Sequence, residues 1–343
     1  NPGKLKIRLD IDNNNEIVEL KQGIPIWSFS RKPGLRINKR VRGYSAANKL
    51  VCKICCNRFL QKNDDLQFVM YLSHGTPIKS IHNYYYVPEH SHTDAVLSAG
   101  KEFVDILSYE LRFPRDRIVP LGFPRNDVLT SENKIDIKSF FVGDYDKVII
   151  WYPTYRQHKN GTLNFKEGPL LIIESNEDIE ALNSCLATNN ILLVIKPHFA
   201  QNLAFIKKRN LSNIRYIDDS FYAENHISAY QFLAGCDALV SDYSSVIFDY
   251  LLCNKPIGLI WNDFEDYKIN PGFAIDVDRY TDFAEKIFST DDLIDFVNKV
   301  SSGMDDKEKL RQSICSKVNI SSDGKNAERV INYILTQIQL LNK

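Results

Sequence analysis

Short apolar runs rich in β-branched residues alternate with longer amphipathic stretches, and this alternation constrains the fold more than any other feature of the sequence. Strands of a parallel sheet have such runs, and each strand needs a crossover helix before the next. The predicted strands are 68–72, 95–98, 148–151, 191–195, 238–241 and 256–260. The predicted helices are 101–111, 179–188, 227–234, 291–300 and 327–341. The pattern predicts an α/β fold.

The length of the chain predicts two domains. It has 343 residues, more than twice the length of about 150 that is usual for one domain, and we expect the two domains to share a cleft. A polar stretch with little periodicity precedes residue 148, so we predict a linker at 131–147 between domains 1–130 and 148–343. Because Asn1 is not preceded by a methionine, we expect the sequence to belong to a longer chain.

The charge balance gives no reason to expect a nucleic-acid partner. Lys plus Arg and Asp plus Glu each number 43, so no overall field attracts polyanions. The sequence has no apolar run of about 18 residues that could span a membrane, and its seven scattered cysteines fit a reducing cytoplasm. One basic segment, Arg31 to Arg42, has six cations and no acid. It is either a solvated loop or a patch for anionic lipid or polymer.

Polar residues collect where four predicted strands end, and ligands of open α/β sheets bind at these ends. The segment 74–79 follows the first of these strands, and His74 on its glycine-containing turn either acts as a general base or has a structural role. Lys196 and His198 follow the strand 191–195. Together they can neutralise a diphosphate, although a lone histidine is more often structural.

The two remaining strand ends also have residues suited to phosphate. The segment 151–156 ends in Arg156, which can hold a phosphate with two hydrogen bonds or can be an ordinary surface arginine. The segment 241–250 passes from a strand to a helix through a hydroxyl-rich turn. There Ser244 and Ser245 either bind an anion together with the helix N–H groups or simply cap the helix.

Signals for other chemistries are weak in the sequence, and its three D-x-D patterns are too short to indicate a metal site. It contains no G-x-G-x-x-G and no P-loop, which disfavours dinucleotide oxidoreductases and P-loop kinases. The C-x-x-C-C at 52–56 lacks a second pair of zinc ligands. We therefore predict no metal and no cofactor.

Taken together and in order, the strand-end segments resemble the CDP-glycerol glycerophosphotransferase family, the teichoic-acid primases and polymerases of bacterial surfaces. The segments that carry the resemblance are His74-Gly75-Thr76-Pro77 with Lys79, Gly122-Phe123-Pro124-Arg125-Asn126-Asp127, 151–156, Lys196-Pro197-His198, 241–250, Lys255-Pro256-Ile257, and Asp323-Gly324-Lys325 with Glu328-Arg329. The chain departs from the family at 270–273. It has Asn-Pro-Gly-Phe there, whereas members commonly have an Arg-Gly pair before an aromatic residue.

The resemblance implies a GT-B-like fold of two Rossmann-like domains facing a cleft, with a C-terminal helix. It implies transfer of glycerol or ribitol phosphate from a CDP-polyol to an acceptor hydroxyl, with release of CMP. The acceptor would be a lipid-linked or polymeric glycan, and the product a teichoic-acid-like or capsular polymer. The enzyme would act in the cytoplasm, at the inner face of the bacterial plasma membrane, with the basic segment as its membrane contact.

The resemblance also implies roles for particular residues. His74 is the expected base, and His198 the second catalytic histidine. The donor-binding residues would be Lys196, His198, Ser244, Ser245, Arg156 and Asp242. The residues on the acceptor side or in the cleft would be Gly75, Thr76, Lys79, Arg125 and Asn126. Two alternatives stay open, a GT-B glycosyltransferase that uses a nucleotide sugar and a non-catalytic glycan-binding module of a larger synthase.

Overall fold

The chain forms two compact units, each with its own sheet. The computed structural model describes residues 6–11, 14–19, 40–44, 50–55, 68–73, 75–82, 93–154, 170–197, 211–269 and 271–341, with only the backbone in the first four ranges. The first unit consists of Asn1–Ser131 and Ser316–Lys343, and the second of Glu132–Cys315.

The first unit is built on a seven-stranded mixed sheet. Its strands are β1 (Lys6–Ile11), β2 (Asn14–Glu19), β3 (Arg40–Tyr44), β4 (Leu50–Cys55), β5 (Phe68–Tyr71), β6 (Ala95–Ser98) and β7 (Ile118–Pro120). Their spatial order is β2-β1-β3-β4-β5-β6-β7. The pairs up to β3 with β4 are antiparallel, and β4 to β7 run parallel.

The second unit is built on a six-stranded parallel sheet. Its strands are β8 (Lys147–Trp151), β9 (Ile191–Ile195), β10 (Ile214–Tyr216), β11 (Ala238–Ser241), β12 (Ile257–Ile260) and β13 (Glu285–Ile287). Their spatial order is β10-β9-β8-β11-β12-β13. Counted from β8, this is the doubly wound order 3-2-1-4-5-6, whose direction of winding reverses between β8 and β11. This reversal is the topological switch point.

In the second unit, helices separate most of the described strands, as the sequence predicts. The α-helices in the described part of the whole chain are α1 (Val104–Leu111), α2 (Asn176–Thr188), α3 (Asp219–Glu224), α4 (Ala229–Gly235), α5 (Val246–Tyr250), α6 (Phe264–Ile269), α7 (Val277–Thr281), α8 (Thr290–Ser302), α9 (Glu308–Val318) and α10 (Asn326–Leu341). None of the helices in the described part of the chain is long and apolar enough to cross a bilayer.

Three described helices of the second unit, α2, α4 and α8, begin at capping boxes. Ser175 and Asp178 exchange side-chain and backbone hydrogen bonds at the start of α2, and Ser289 and Asp292 do so at the start of α8. Helices α2 and α8 bury their apolar faces in one core cluster with strands β8, β9 and β11. The two helices therefore cover one face of the sheet.

The last helix, α10, packs in the first unit. Its residues Val330 and Ile334 are buried against Phe68, Met70 and Leu97 of the first sheet. The predicted C-terminal domain, 148–343, is therefore wrong at its end, since the chain returns to the first unit after Cys315. The predicted linker also needs correction, because residues 132–147 belong to the second unit. An amphipathic stripe shows that a helix must be buried, but not against which core.

The segment 122–127 contacts the start of α10 and holds it by hydrogen bonds. The Asp127 carboxylate accepts hydrogen bonds from the N–H groups of Asn326 and Ala327, both at 2.8 Å. Gly122 has φ +79°, and a Cβ there would lie 2.1 Å from Oδ1 of Asn326. Two segments that are distant in the sequence and carried the family resemblance are thus structural partners.

Replacing Asp127 is expected to destabilise the first unit. In Asp127→Asn a single amide oxygen must serve two helix N–H groups, and we expect a loss of about 1–3 kcal/mol in the free energy of unfolding. Thermal unfolding should give a lower Tm than wild type. Asp116→Asn, at an exposed site in the same unit, is the matched control. A Tm equal to that of the control would contradict the capping role.

Candidate functional site

Two polar loops leave neighbouring strands at the switch point of the second sheet. One follows Trp151 at the end of β8, and the other follows Ser241 at the end of β11. The two strands are parallel and adjacent, with Trp151 opposite Val240. Both loops therefore start at the same edge of the sheet, where ligands bind in this architecture.

Hydrogen bonds join these two loops directly. The Tyr152 N–H donates to the Val240 carbonyl, and the Ser241 hydroxyl donates to the Tyr152 carbonyl, both at 2.9 Å. Further along the two loops, the Thr154 N–H donates to Oδ2 of Asp242 at 2.9 Å. The Thr154 hydroxyl donates to the other carboxylate oxygen. The loop after β8 is therefore held as far as Thr154, two residues before Arg156.

Asp242 anchors the loop after β8. It is only 2% exposed, and its two carboxylate oxygens accept hydrogen bonds from Thr154. Its predicted role in donor binding stays a prediction. Thr154, which the sequence did not single out, is its partner.

Lys196 extends the same edge to the next strand. Its N–H donates to the Trp151 carbonyl at 3.0 Å, which keeps the start of the β9 loop beside β8. Its ammonium lies 3.1 Å from the Asp219 carboxylate at the start of α3, and the Asp219 side chain is 83% exposed. An ion pair this open to solvent contributes little stability, so the lysine can exchange Asp219 for a phosphate.

Helix α3 contacts the loop after β8 as well. The hydroxyl groups of Tyr152 and Tyr222 lie 3.0 Å apart. Burial raises the pKa of both tyrosines, so they form a neutral hydrogen-bonded pair at physiological pH. Helix α3 thus contacts the β8 loop through Tyr222 and the β9 loop through Asp219.

Ser244 and Ser245 lie half-buried at the start of α5. Oγ of Ser244 is 3.5 Å from the Val246 N–H, a long contact. Among the described residues, the Ser245 side chain makes no capping hydrogen bond. Because α5 has five residues before a 3₁₀ turn at Leu251–Cys253, its dipole is small. The two hydroxyls are the main groups that this turn offers to an anion.

Tyr243, directly before this turn, belongs to an aromatic cluster. The ring of Tyr243 lies 5.1 Å from that of Trp261, 4.0 Å from that of Tyr267 and 5.4 Å from that of Phe273. Phe273 ends the segment at which the chain departs from the family pattern. The preceding Gly272 has φ +82° and donates its N–H to the Tyr267 carbonyl at 2.9 Å. Ring contacts and a glycine turn hold Gly272 and Phe273 in place.

In the first unit, the loop after β5 has an unusual backbone. Ser73 is buried and has φ +61°, and Gly75 has φ +148°. Positive φ is strained for a serine, and such residues concentrate at functional sites. Thr76 is 2% exposed, and its hydroxyl has no hydrogen-bond partner in the described structure. Lys79 is exposed.

Two further predicted residues follow β7. The Arg125 guanidinium lies 4.6 Å from the centre of the Phe123 ring, and the side chain is half-buried. Asn126 is 1% exposed, and its N–H donates to the Phe123 carbonyl at 2.9 Å. Asn126 belongs to the segment 122–127 that holds the start of α10. The acceptor-side roles of Asn126 and Arg125 stay predictions.

Three predicted residues, His74, Arg156 and His198, lie outside the described residues, as does most of the basic segment. Their roles stay predictions. The described residues contain no group of three or more His, Cys, Asp or Glu side chains that could hold a metal ion. That the protein uses no metal and no cofactor also stays a prediction.

A doubly wound sheet with polar loops at its switch point places the second unit in the class of Rossmann-like α/β domains. A match to a known family is more specific. Residues 33–336 match the family described as CDP-Glycerol:Poly(glycerophosphate) glycerophosphotransferase. The chain belongs to this family, as its strand-end segments predicted.

Known relatives agree with this membership. The chain is 24% identical over 256 residues to the teichoic acid ribitol-phosphate primase of Bacillus spizizenii, which covers 72% of this chain and 60% of the primase. It is 31% identical over 186 residues to the teichoic acid ribitol-phosphate polymerase TarK of Staphylococcus aureus, which covers 52% of this chain and 33% of TarK. The chain thus spans less than two thirds of the length of either relative.

A solved structure agrees with the fold. A histidine variant of the wall teichoic acid polymerase TagF, soaked with CDPG, matches with a TM-score of 0.62 and 19% identity over 85% of this chain and 73% of that one. At this identity the likeness shows the fold alone. The predicted GT-B-like α/β fold is confirmed.

Proposed function

We propose that the chain transfers a polyol phosphate, glycerol or ribitol phosphate, from a CDP-polyol to an acceptor hydroxyl and releases CMP. The product would be a teichoic-acid-like or capsular polymer. The observation that carries this proposal is the pair of loops joined through Thr154 and Asp242 at the switch point, in a chain of the glycerophosphotransferase family. The acceptor would be a lipid-linked or polymeric glycan at the inner face of the bacterial plasma membrane.

The donor diphosphate would lie at the carboxyl edge of the second sheet. Lys196 supplies a cation there, and Ser244 and Ser245 supply hydroxyls. His198 and Arg156 follow two of the same strands in the sequence and would add hydrogen-bond donors to the phosphates. Fixed donors of this kind stabilise the charge that develops during transfer and need no rearrangement at the moment of reaction.

The transfer itself would be a single displacement at phosphorus. The acceptor oxygen bonds to the phosphorus attached to the polyol, and the bond from that phosphorus to the bridging oxygen breaks. CMP leaves with the bridging oxygen, and the imidazole of His74 takes the proton of the acceptor hydroxyl. The loop of His74 has the strained Ser73 backbone and the unpartnered Thr76 hydroxyl, features typical of functional loops.

Nucleotide-dependent stabilisation tests the donor class. A ligand at 100 times its Kd stabilises the folded state by about 2.7 kcal/mol, so CMP and CDP should raise the Tm by several degrees. UDP and GDP at the same concentrations should leave it unchanged. A response to UDP alone would favour a glycosyltransferase that uses a nucleotide sugar. A response to none of the four would contradict the proposed donor site and favour a glycan-binding module.

A further inference from the structure

Residues at the end of α1 form hydrogen bonds with the segment 80–82, which follows the loop after β5. Glu110 is 3% exposed, and its Oε2 accepts the N–H of Ile81 at 2.6 Å and that of His82 at 2.8 Å. The Ser80 hydroxyl lies 3.2 Å from each carboxylate oxygen. One buried carboxylate thus binds three consecutive residues. Hydrogen bonds to a charged acceptor are about twice as strong as neutral ones.

The neighbours of Glu110 hold the same segment. The His82 ring stacks on the ring of Tyr109, with centres 4.5 Å apart and an angle of 10°. Nδ1 of His82 lies 2.9 Å from the Tyr109 carbonyl, to which it donates. Arg112 donates from its guanidinium to the His82 carbonyl at 3.4 Å. We call Tyr109, Glu110 and Arg112 the α1 clamp.

Two residues of the α1 clamp are unfavourable for the stability of helix α1. A carboxylate near a helix C-terminus faces the negative end of the dipole, and the last turn of α1 has no basic residue to compensate. Arg112 has φ +50° at the end of the helix, a conformation usually taken by glycine. Both residues cost helix stability, and both contact the segment 80–82. Such local conflicts are expected where a sequence serves function.

We propose that Glu110 is a positioning residue that fixes the loop after β5 and thereby places His74 for proton transfer. This inference rests on the proposed function. The sheet holds the loop at Tyr71, and the α1 clamp holds it at Ser80. Between these anchors Ile78 is 2% exposed and packs into the unit. The described residues on either side of position 74 are therefore anchored.

The effect of the clamp on catalysis should be large. A misplacement of about 1 Å can cost roughly 100-fold in rate. We expect Glu110→Gln to lower kcat by about 10- to 100-fold, because a neutral amide oxygen holds the N–H groups of Ile81 and His82 less strongly than the charged Oε2 does. KM for the donor should change by less than about 3-fold, because donor binding is assigned to the second unit.

Hydrogen exchange tests the inference without relying on turnover. The amides of Ile81 and His82 should exchange at least about 10-fold faster in Glu110→Gln than in wild type, since each loses a charge-assisted bond. Asp105→Asn is the matched control, because Asp105 lies on the exposed face of the same helix in a surface ion pair with Arg115. It should leave both amides and kcat unchanged. If Glu110→Gln does not fold, Ser80→Ala should show the same pattern with a loss of about 3- to 10-fold in kcat.

The outcomes separate this inference from the proposed function. Faster exchange confined to the segment 75–82, together with a lower kcat and an unchanged KM, supports the positioning role. Wild-type exchange, or faster exchange with an unchanged kcat, overturns it. Faster exchange throughout the first unit would show a role in overall stability instead, and would also overturn it. If no CDP-polyol gives turnover in wild type, the proposed function fails, and the exchange of Ile81 and His82 alone decides whether Glu110 fixes the loop.

Discussion

His74→Ala should reduce turnover by about 10²- to 10⁴-fold, the usual contribution of a positioned general base. A histidine imidazole with an ordinary pKa near 6.5 is mostly neutral at physiological pH and can accept the proton of the attacking hydroxyl. The affinity for the CDP donor should stay within a few-fold of wild type, because the donor-binding groups belong to the second unit. Steady-state kinetics combined with titration calorimetry separates the two effects.

The control for His74→Ala is His226→Ala, which changes an exposed histidine of the second unit. It should retain wild-type turnover. His198→Ala should give the opposite pattern to His74→Ala, with weaker donor binding. Near-wild-type turnover in His74→Ala would show that this imidazole is not the base and serves the structure of its loop.

Asp242→Asn should weaken donor binding by loosening the loop after β8. The amide can accept only one of the two hydrogen bonds from Thr154, so the anchor of the loop that leads to Arg156 is weakened. Loss of a buried, satisfied pair costs about 1–3 kcal/mol, which corresponds to an increase of about 5- to 150-fold in the Kd for CMP. Titration calorimetry with CMP measures this directly.

Two companion variants refine the test of Asp242. Thr154→Val removes the hydroxyl but keeps the backbone N–H bond to Asp242, so it should weaken CMP binding less than Asp242→Asn does. Asp306→Asn changes an exposed carboxylate of the same unit and should bind CMP as wild type does. Wild-type Kd values in both Asp242→Asn and Thr154→Val would mean that the β8 loop is not part of the donor site.

The central strands of both sheets could be predicted because they are buried on both faces. Strands β6, β9 and β11 have the predicted bounds, since continuous apolar runs mark fully buried strands. Strand β1, Lys-Ile-Arg-Leu-Asp-Ile, was missed because it alternates apolar and charged residues. That pattern is typical of a strand with one solvated face, so it could have been recognised.

The candidate site could be predicted as a location more easily than as a set of contacts. The strand-end rule found the loops of Lys196, Ser244 and Ser245 because it needs only the order of strands. It could not show that the Asp242 carboxylate accepts hydrogen bonds from Thr154. Hydroxyl and carboxylate partners from separate loops leave no pattern in the sequence. Glu110 was missed for a similar reason, since its partners precede it by about thirty residues.

The most direct test is to incubate the protein with CDP-glycerol, with CDP-ribitol and with nucleotide sugars, each with candidate lipid-linked glycan acceptors, and to follow the products by mass spectrometry. We expect one CDP-polyol to yield equal amounts of CMP and of acceptor enlarged by one polyol phosphate. His74→Ala should abolish most of this product. Intact CDP-polyols beside a consumed nucleotide sugar, with the acceptor enlarged by a sugar, would contradict the account.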